Sequence, residues 1–329
     1  MKFQIRLFLL LCFFSYQVKA QYYFSSNGYY DTPITFEAGI SVGPMNSLTD
    51  LGGRSGIGAR GPKDLNLKST TVFGSIYAMA IYKQFFALRA EATVGSVKSN
   101  DSLLAGITAP NKAIGRYTRN LSFRSKIYEL SFMAEFHPLD MLSNRNPDGI
   151  PPLFSPYLLG GIGFFHFNPQ ANLNGSWVYL RPLHTEGEGF AEYPNSRQYP
   201  LNQFNIPIGA GVAYQLSDKF NLRLEYIYRY LFTDYLDDVH DKYIDPEVFS
   251  RYLSGNKLNN ALILNNRVKP GTAAATTTAR PAGKRGNPLN NDAYFTVNFK
   301  IGFVFGREKA SSSGRGKSWK KQLRCPKFY

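Results

Sequence analysis

Apolar and polar residues alternate strictly in many short stretches of this chain. In residues 34–43, Ile34 and Phe36 share one face, whereas Thr35 and Glu37 share the other. Successive side chains of a strand point to opposite faces, so this pattern predicts strands with one apolar face. Beyond the N-terminal segment no apolar run reaches the length of a membrane-spanning helix. The predicted strands cover residues 34–43, 71–82, 85–97, 126–136, 157–167, 204–216, 220–232 and 295–305.

Composition points to the same all-β class. The chain of 329 residues contains 29 Gly, 26 Phe and 22 Tyr. Aromatic residues pack well on pleated sheets, and glycine is tolerated where a barrel bends or tapers. The length would allow two soluble domains, but one targeting segment, eight strands and their loops account for all of it.

The N-terminal segment has the three parts of a secretory signal. Two basic residues precede an apolar run at residues 7–14, and residues 18–20 (Val-Lys-Ala) form a small-residue cleavage site. We therefore predict a signal peptide at residues 1–20. An alternative, lipid attachment at Cys12, is disfavoured because the preceding Leu11 is not small.

The spacing of the predicted strands favours a membrane barrel over a soluble sandwich. Long and short connections alternate along the chain, and only residues 137–153 form an overlong turn. Outer-membrane barrels combine short periplasmic turns with long external loops and an even number of strands. We therefore predict an eight-stranded antiparallel transmembrane β-barrel with long external loops over residues 21–306. Its location would be the outer membrane of a Gram-negative bacterium, with the C-terminus in the periplasm.

Two weaker patterns favour membrane insertion. Residues 300–305 resemble the polar-x-Gly-x-x-aromatic signal of a final barrel strand. Aromatic residues also lie near strand ends, as in an interfacial girdle: Tyr82, Phe85, Phe136, Phe232, Tyr294 and Phe305.

The polar faces of the predicted strands carry charges of both signs. If the apolar faces meet lipid, these charges face the interior, and an eight-stranded barrel is only wide enough to be filled by side chains. We therefore predict a network of paired charges that plugs the barrel. A narrow ion or solute pathway is the alternative. The interior charges would be Glu37, Arg89, Glu91, Glu129, Glu135, Arg223, Glu225, Arg229 and Lys300.

Two loop segments contain clustered carboxylates. Residues 185–189 and 233–241 could supply oxygen ligands to a hard cation, but their spacing does not match an EF-hand. The preferred interpretation is that these carboxylates cap loops or take part in an interaction. Neither a metal nor a cofactor is predicted. A barrel hydrolase would need Ser, His and a carboxylate on one rim, and no sequence motif brings them together. Residues 270–288 are typical of a flexible loop.

The C-terminal segment, residues 307–329, is strongly basic. It contains eight Lys or Arg residues and one acid, Glu308. An exported chain with a periplasmic C-terminus has little access to nucleic acid, so docking to an acidic periplasmic partner is the preferred hypothesis. A solvated basic tail is the alternative. The residues expected to bind the partner are Lys317, Lys320, Lys321, Arg324, Cys325 and Phe328.

Several motifs together resemble one family. Residues 156–169 (PYLLGGIGFFHFNP), 185–187 (TEG), 206–209 (IPIG), 233–239 (TDYLDDV) and the terminal 325–328 (CPKF) are similar to the PorG-type outer-membrane proteins of the type IX secretion system. The likeness extends over most of the mature chain, although the Ala/Thr-rich part of the last loop departs from it.

The resemblance implies a non-enzymatic barrel that accompanies a periplasmic ring of a lipoprotein and its partner, PorK and PorN, in protein export and gliding. With the basic tail, it leads to the hypothesis that the barrel anchors this ring. Cys325, the only cysteine left after signal cleavage, is expected to form a disulfide with a ring component. A small transport barrel for ions or hydrophobic solutes remains the alternative function.

Overall fold

The computed structural model describes residues 29–52, 67–104, 114–143, 154–217, 219–270 and 281–309; for residues 29–33 and 306–309 it describes the backbone only. Residues Asp31–Arg307 form one compact unit. The second unit, Met1–Tyr30 and Glu308–Tyr329, lies almost wholly outside the described residues. The predicted signal peptide therefore also lies outside them.

The described chain contains nine strands. They are β1 (Tyr29–Leu48), β2 (Thr71–Tyr82), β3 (Phe86–Asn100), β4 (Ser122–Phe136), β5 (Phe154–Leu173), β6 (Ser176–Tyr179), β7 (Asn202–Gln215), β8 (Phe220–Leu231) and β9 (Ala293–Lys309).

Eight of these strands close into a barrel. Every strand pair whose register is described is antiparallel, and the order β4-β3-β2-β1-β9-β8-β7-β5 is closed by pairing of β4 with β5. The predicted fold is thus confirmed. β6, which pairs only with the end of β5, was not predicted from the sequence. Asn174 and Gly175 join these two strands with positive φ of 51° and 87°, as a tight hairpin requires.

The two ends of the barrel differ. At one end, the long-loop end, the connections after β1, β3, β5 and β8 are long; at the other, the short-turn end, Lys83 and Gln84 turn directly from β2 into β3. β9 reaches Lys309, so the backbone of residues 307–309, assigned above to the tail, belongs to a strand. Four short α-helices are described: α1 (Ile114–Arg119), α2 (Pro138–Ser143), α3 (Pro246–Tyr252) and α4 (Gly255–Asn265).

No helix among the described residues is long and apolar enough to cross a membrane.

The faces of the strands follow the alternation. On β4, Leu130 and Phe132 are exposed on the outer wall, whereas Glu129 and Ser131 are buried inside. β5, whose facing the glycine-rich sequence left open, buries Tyr157, Phe165 and other odd-numbered residues. The outer wall is therefore apolar and the interior polar, the reverse of a soluble barrel.

The interior also has an apolar layer near the long-loop end. It is made of aliphatic and aromatic side chains, and Tyr294 belongs to it. Placing Tyr294 in an outward girdle was therefore wrong, because at an even position of β9 its ring faces inward and is fully buried. The layer includes Met45, Phe73, Val97, Phe123, Ile127, Phe165, Phe167 and Tyr294.

A second apolar core lies among the long loops. It packs the 3-10 turn Arg181–Leu183 and the helices α3 and α4 against the end of β5. Phe190 stacks on Tyr252 with ring centroids 4.1 Å apart. Asp245 caps α3 by accepting the N–H of Glu247 at 3.0 Å. The long loops thus form a folded cap with its own hydrophobic core.

Candidate functional sites: a sealed interior and a buried acidic cap

Charged side chains inside the barrel form ion pairs in two groups, seven residues in one and the Arg229–Glu129 pair in the other, here together called the lumen network: Glu37, Arg89, Glu91, Glu129, Glu135, Arg223, Glu225, Arg229 and Lys300. These nine residues are the buried charges of the described strands, and each has an oppositely charged partner. Because a buried charge is costly unless it is paired, this pairing is what makes a charged interior tolerable.

Arg89 on β3 is the centre of the lumen network. Its Nη1 lies 2.5 Å from Glu225 Oε1 and 2.6 Å from Glu135 Oε1. Its Nε lies 3.3 Å from Glu91 Oε2. Lys300 completes the group by contacting Glu91, and its Nζ lies 3.3 Å from Glu225 Oε2. One guanidinium and one ammonium group therefore contact three carboxylates from three strands.

Arg223 on β8 extends the network towards the short-turn end. Its Nε lies 2.8 Å from Glu37 Oε1, and its Nη1 lies 3.0 Å from Glu135 Oε2. Glu135 thus joins Arg89 and Arg223. Separately, Arg229 Nε lies 2.6 Å from Glu129 Oε2, beside the apolar layer.

Neutral side chains add hydrogen bonds to the network; they were not predicted from the sequence, where only the charges marked the interior. Tyr77 donates to Glu37 at 2.8 Å, and Tyr157 donates to Glu225 at 2.5 Å. Asn221 and Asn298 donate amide N–H to Glu37 and Glu225. All of them occupy inward positions; the period-two pattern placed Tyr77, Asn221 and Asn298 on the face of the charges, whereas it left the facing of Tyr157 on β5 open.

A second cluster of charges lies in the cap. Arg285 donates from Nη1 to Glu186 Oε1 and to the backbone oxygen of Asp238, both at 2.7 Å. Arg119 binds Asp101 through Nε at 2.9 Å and Nη2 at 3.0 Å, and its Nη1 donates to the backbone oxygen of Arg285 at 2.7 Å. Arg119 Nη2 also donates to the backbone oxygen of Asp50 at 2.7 Å, so the two arginines link described segments of all four long loops.

The two carboxylate-rich loop segments of the sequence meet in this cluster. Thr185 donates to Asp238 at 2.6 Å, and Tyr199 donates to its other oxygen at 2.6 Å. Glu186 accepts the backbone N–H groups of His240 and Asp241 at 3.0 and 2.8 Å. Residues 185–189 and 233–241 are thus hydrogen-bonded to each other.

The arginines of the cap could not be assigned from the sequence. Arg285 is buried, so the prediction that residues 270–288 are one flexible loop is wrong at this position; residues 271–280 lie outside the described part of the chain. Arg285 interrupts a Thr/Ala/Gly-rich stretch, and its partner Glu186 is 99 residues away. No local signal marks such a pair.

Burial perturbs the carboxyl groups of the cap. It raises the pKa of Asp238 to about 6, although Arg285 and two hydroxyl groups oppose the change. Burial also raises the pKa of Glu188 and Asp292 well above the usual range, and neighbouring carboxylates add to it. The acids outnumber the two arginines, and burial shifts these carboxyl groups towards the protonated form.

No metal centre is formed within the described chain. No group of three or more His, Cys, Asp or Glu side chains there has an arrangement that could hold a metal ion. The carboxylates of the cap are held instead by backbone N–H groups, hydroxyls and the two arginines. Their geometry is that of a structural clasp.

Ser155, His137 and Asp140 meet at the short-turn end, which no sequence motif indicated. Ser155 donates its hydroxyl to Asp140, and His137 Nδ1 lies 2.7 Å from Ser155 Oγ. Burial alone would lower the pKa of His137, but hydrogen bonds to Asp140 and Glu135 raise it.

This arrangement does not activate the serine. Because Ser155 Oγ donates to Asp140, it accepts from Nδ1 of His137, and that nitrogen cannot then take the serine proton. The three side chains link β4, α2 and β5 at the overlong turn, beside the lumen network through Glu135. The group is a structural staple.

The predicted partner-binding residues, Lys317, Lys320, Lys321, Arg324, Cys325 and Phe328, lie outside the described residues.

A closed eight-stranded sheet with an apolar outer wall and a filled polar interior defines a membrane-type β-barrel. The model of the family described as domain of unknown function DUF6089 matches residues 32–261. The chain therefore belongs to the DUF6089 family. No curated protein is significantly similar to it.

Solved structures resemble the chain distantly. Neisserial surface protein A is 9% identical, and the match covers 84% of this chain and 99% of that one with a TM-score of 0.34. Ail, the attachment invasion locus protein of Yersinia pestis, is 11% identical over 82% and 98%, with a TM-score of 0.33. A major outer membrane protein of Thermus thermophilus is 13% identical over 83% and 100%, with a TM-score of 0.35.

Proposed function

We propose that this chain is a non-enzymatic outer-membrane barrel that anchors the periplasmic ring of a type IX secretion machine. Its partners there would be a PorK-like lipoprotein and a PorN-like protein, and it would support protein export and gliding. In this arrangement the long loops face outside, and the short-turn end and both chain termini face the periplasm.

The filled interior carries the proposal. The central charges of the lumen network are fully buried and paired across the barrel, and an apolar layer closes the interior beside them. A barrel whose interior is occupied in this way offers no path for a solute, which favours an anchoring role over transport.

Two further observations support it. The exposed wall of the strands is apolar over a continuous band, as lipid contact requires. The TEG and TDYLDDV segments, on which the resemblance to PorG-type proteins rests, contact each other through Thr185 and Asp238. The segments shared with that family therefore build one structural unit.

The basic tail is the proposed contact with the ring. Beyond β9, in residues 310–329, it holds six cations and Cys325, the only cysteine outside the signal segment. Cations favour association with an acidic partner, and an oxidising compartment permits an intermolecular disulfide.

Affinity purification in mild detergent followed by mass spectrometry tests the proposal. The full chain is expected to retain the ring proteins, and a chain lacking residues 310–329, which leaves β9 complete, is expected to lose them while the barrel still folds. Non-reducing electrophoresis of wild type and Cys325→Ala tests the disulfide. Retention of the ring by the truncated chain would remove the tail from the proposal.

Conductance separates the proposal from a transport barrel. The purified wild-type barrel in a planar bilayer is expected to show no steady conductance. Reproducible channel openings would instead favour the transport alternative.

A further inference from the structure

The outer wall of the barrel carries charge at one place. Among the described strand side chains that point outward, Lys98, Arg124 and Lys126 are the charged ones, and no carboxylate shares that wall. They occupy adjacent positions on β3 and β4, near the long-loop end. We call these three residues the basic patch.

The basic patch is unfavourable for the barrel by itself. Lys98 lies directly opposite Arg124 in the register of β3 and β4, and Lys126 is the next outward residue on β4. Like charges that face each other across a strand pair repel. Neither lysine forms an ion pair with any described residue. An anion bound between them would remove the repulsion.

Arg124 is held ready for such an anion. Its Nε donates to Gln170 Oε1 at 3.0 Å, and its guanidinium carbon lies 3.7 Å from the ring centroid of Trp177. Its two terminal nitrogens form no hydrogen bond with a described residue. A guanidinium fixed on an aromatic face with free N–H donors is suited to an oxyanion, most of all a phosphate.

The height of the basic patch identifies the source of the phosphate. Apolar residues face outward on β4 from Tyr128 to Phe136, which at about 3.3 Å per residue and a tilt of about 40° rises roughly 20 Å along the barrel axis. Lys126 is the next outward residue above this band. Its flexible stem brings the ammonium group to headgroup level.

We propose that the basic patch binds a phosphorylated glycolipid headgroup of the outer leaflet, with one phosphate between Lys98 and Arg124 and a second near Lys126. The inference rests on the proposed outer-membrane location with the long loops outside. It does not depend on the periplasmic ring, so lipid binding and ring anchoring can be disproved separately.

Lipid binding by the purified full-length barrel in detergent tests this inference. The probe is diphosphorylated lipid A, with monophosphorylated lipid A and phosphatidylcholine for comparison. Wild type is expected to bind the diphosphorylated lipid most tightly. The variant K98Q/R124Q/K126Q is expected to bind it roughly 100-fold more weakly.

Two variants control for charge and folding. K219Q/K242Q/K257Q removes the same charge at sites off the outer wall and is expected to keep wild-type affinity. K98R/R124K/K126R keeps the charge and is expected to retain most of the binding. Urea midpoints establish that every variant is folded.

Three results would overturn the inference. The first is equal lipid A affinity for wild type and the patch variant. The second is equal weakening by the control variant. The third is complete displacement of the lipid by millimolar inorganic phosphate, which would make the basic patch a site for soluble anions.

Discussion

Arg89 and Glu225 form a two-bond ion pair across the full width of the barrel. Nη1 of Arg89 lies 2.5 Å from Oε1 of Glu225, and Nη2 lies 3.2 Å from Oε2. β3 and β8, which carry them, are four strands apart in the closed order of eight and hence lie on opposite walls. A direct contact between opposite walls is possible only because the barrel is narrow.

Removal of Arg89 should strongly destabilise the barrel. Arg89→Met leaves Glu91, Glu135 and Glu225 with too few cations in a buried site, and the expected loss of unfolding free energy is about 3–5 kcal/mol. Urea unfolding of the barrel in lipid measures it. In the double variant R89M/E225M, one uncompensated charge fewer remains, so the loss should be smaller.

The matched control is Arg251→Met. Arg251 pairs with Glu192 at 2.7 Å, but both side chains are solvated on the cap. No measurable change in barrel unfolding is expected, since exposed pairs contribute little. Equal unfolding curves for R89M and wild type would show that the network is not a structural element.

Two glycines test the assignment of inner and outer walls. A Cβ at Gly302 would collide with Glu37 Oε1 and Tyr77 Oη; Arg223 and Asn221 donate to Glu37, and Tyr77 is held by its own hydrogen bond to Glu37. Gly302→Ala should therefore cost about 1–3 kcal/mol.

Gly160→Ala is the control for this substitution. Gly160 points outward, and a Cβ there would have Pro207 O as its nearest neighbour at 3.9 Å. Its unfolding free energy should change by less than about 0.5 kcal/mol. Urea midpoints measure both variants, and a larger effect at Gly160 than at Gly302 would contradict the register.

The cap should loosen as pH rises. The folded cap raises the pKa of Asp238 from 3.8 to about 6, so the folded state binds more protons than the unfolded state between these values. Stability from this group is therefore fully present below about pH 4 and is lost as pH rises through about 6. Limited proteolysis of the long loops at several pH values should show faster cleavage at pH 7 than at pH 5.

Asp238→Asn separates this effect from a general response to pH. The amide keeps the shape and carries no charge, so the dependence of cleavage on pH should flatten. Asp241→Asn is the control, since Asp241 is a more exposed neighbour. If both variants keep the wild-type pH profile, Asp238 is not the group responsible.

The staple at the short-turn end should be structural. Ser155→Ala removes the hydroxyl that joins His137 and Asp140, and it leaves both buried groups without that partner. A loss of about 1–3 kcal/mol is expected in urea unfolding. Ser176→Ala on the exposed hairpin serves as the control.

Hydrolysis of a chromogenic ester distinguishes the staple from a catalytic group. The wild-type barrel should show no turnover above the rate in buffer, because Ser155 donates to Asp140. Turnover that Ser155→Ala abolishes would establish a catalytic role.

Strand positions and faces follow from the sequence because they depend on local alternation. Glu225 faces inward since its neighbours Leu224 and Tyr226 are apolar and must face lipid. The inward and outward faces of β5 could not be predicted from the sequence, because glycines obscure the alternation there. The small strand β6 has an Asn-Gly turn as its signal, but its few residues have no alternation to detect.

The partners of the charged groups depend on closure of the barrel. Arg89 and Glu225 are 136 residues apart, and Arg119 meets the backbone of Arg285 from 166 residues away. The number of strands and their stagger decide which inward residues lie at one height. Strand number and stagger are properties of the whole closed sheet, so no single segment of the sequence determines them.

The sequence by itself therefore determined the class of fold, the inner and outer walls and the mixed charge of the interior, since a repeat of two residues is a local property. The tertiary structure alone decided which of those charges pair with one another, that Arg119 and Arg285 hold the cap together, and that Lys98 and Arg124 face each other on the outer wall. The physical reason is that each of these contacts joins distant segments, whose meeting is set by strand register and loop packing.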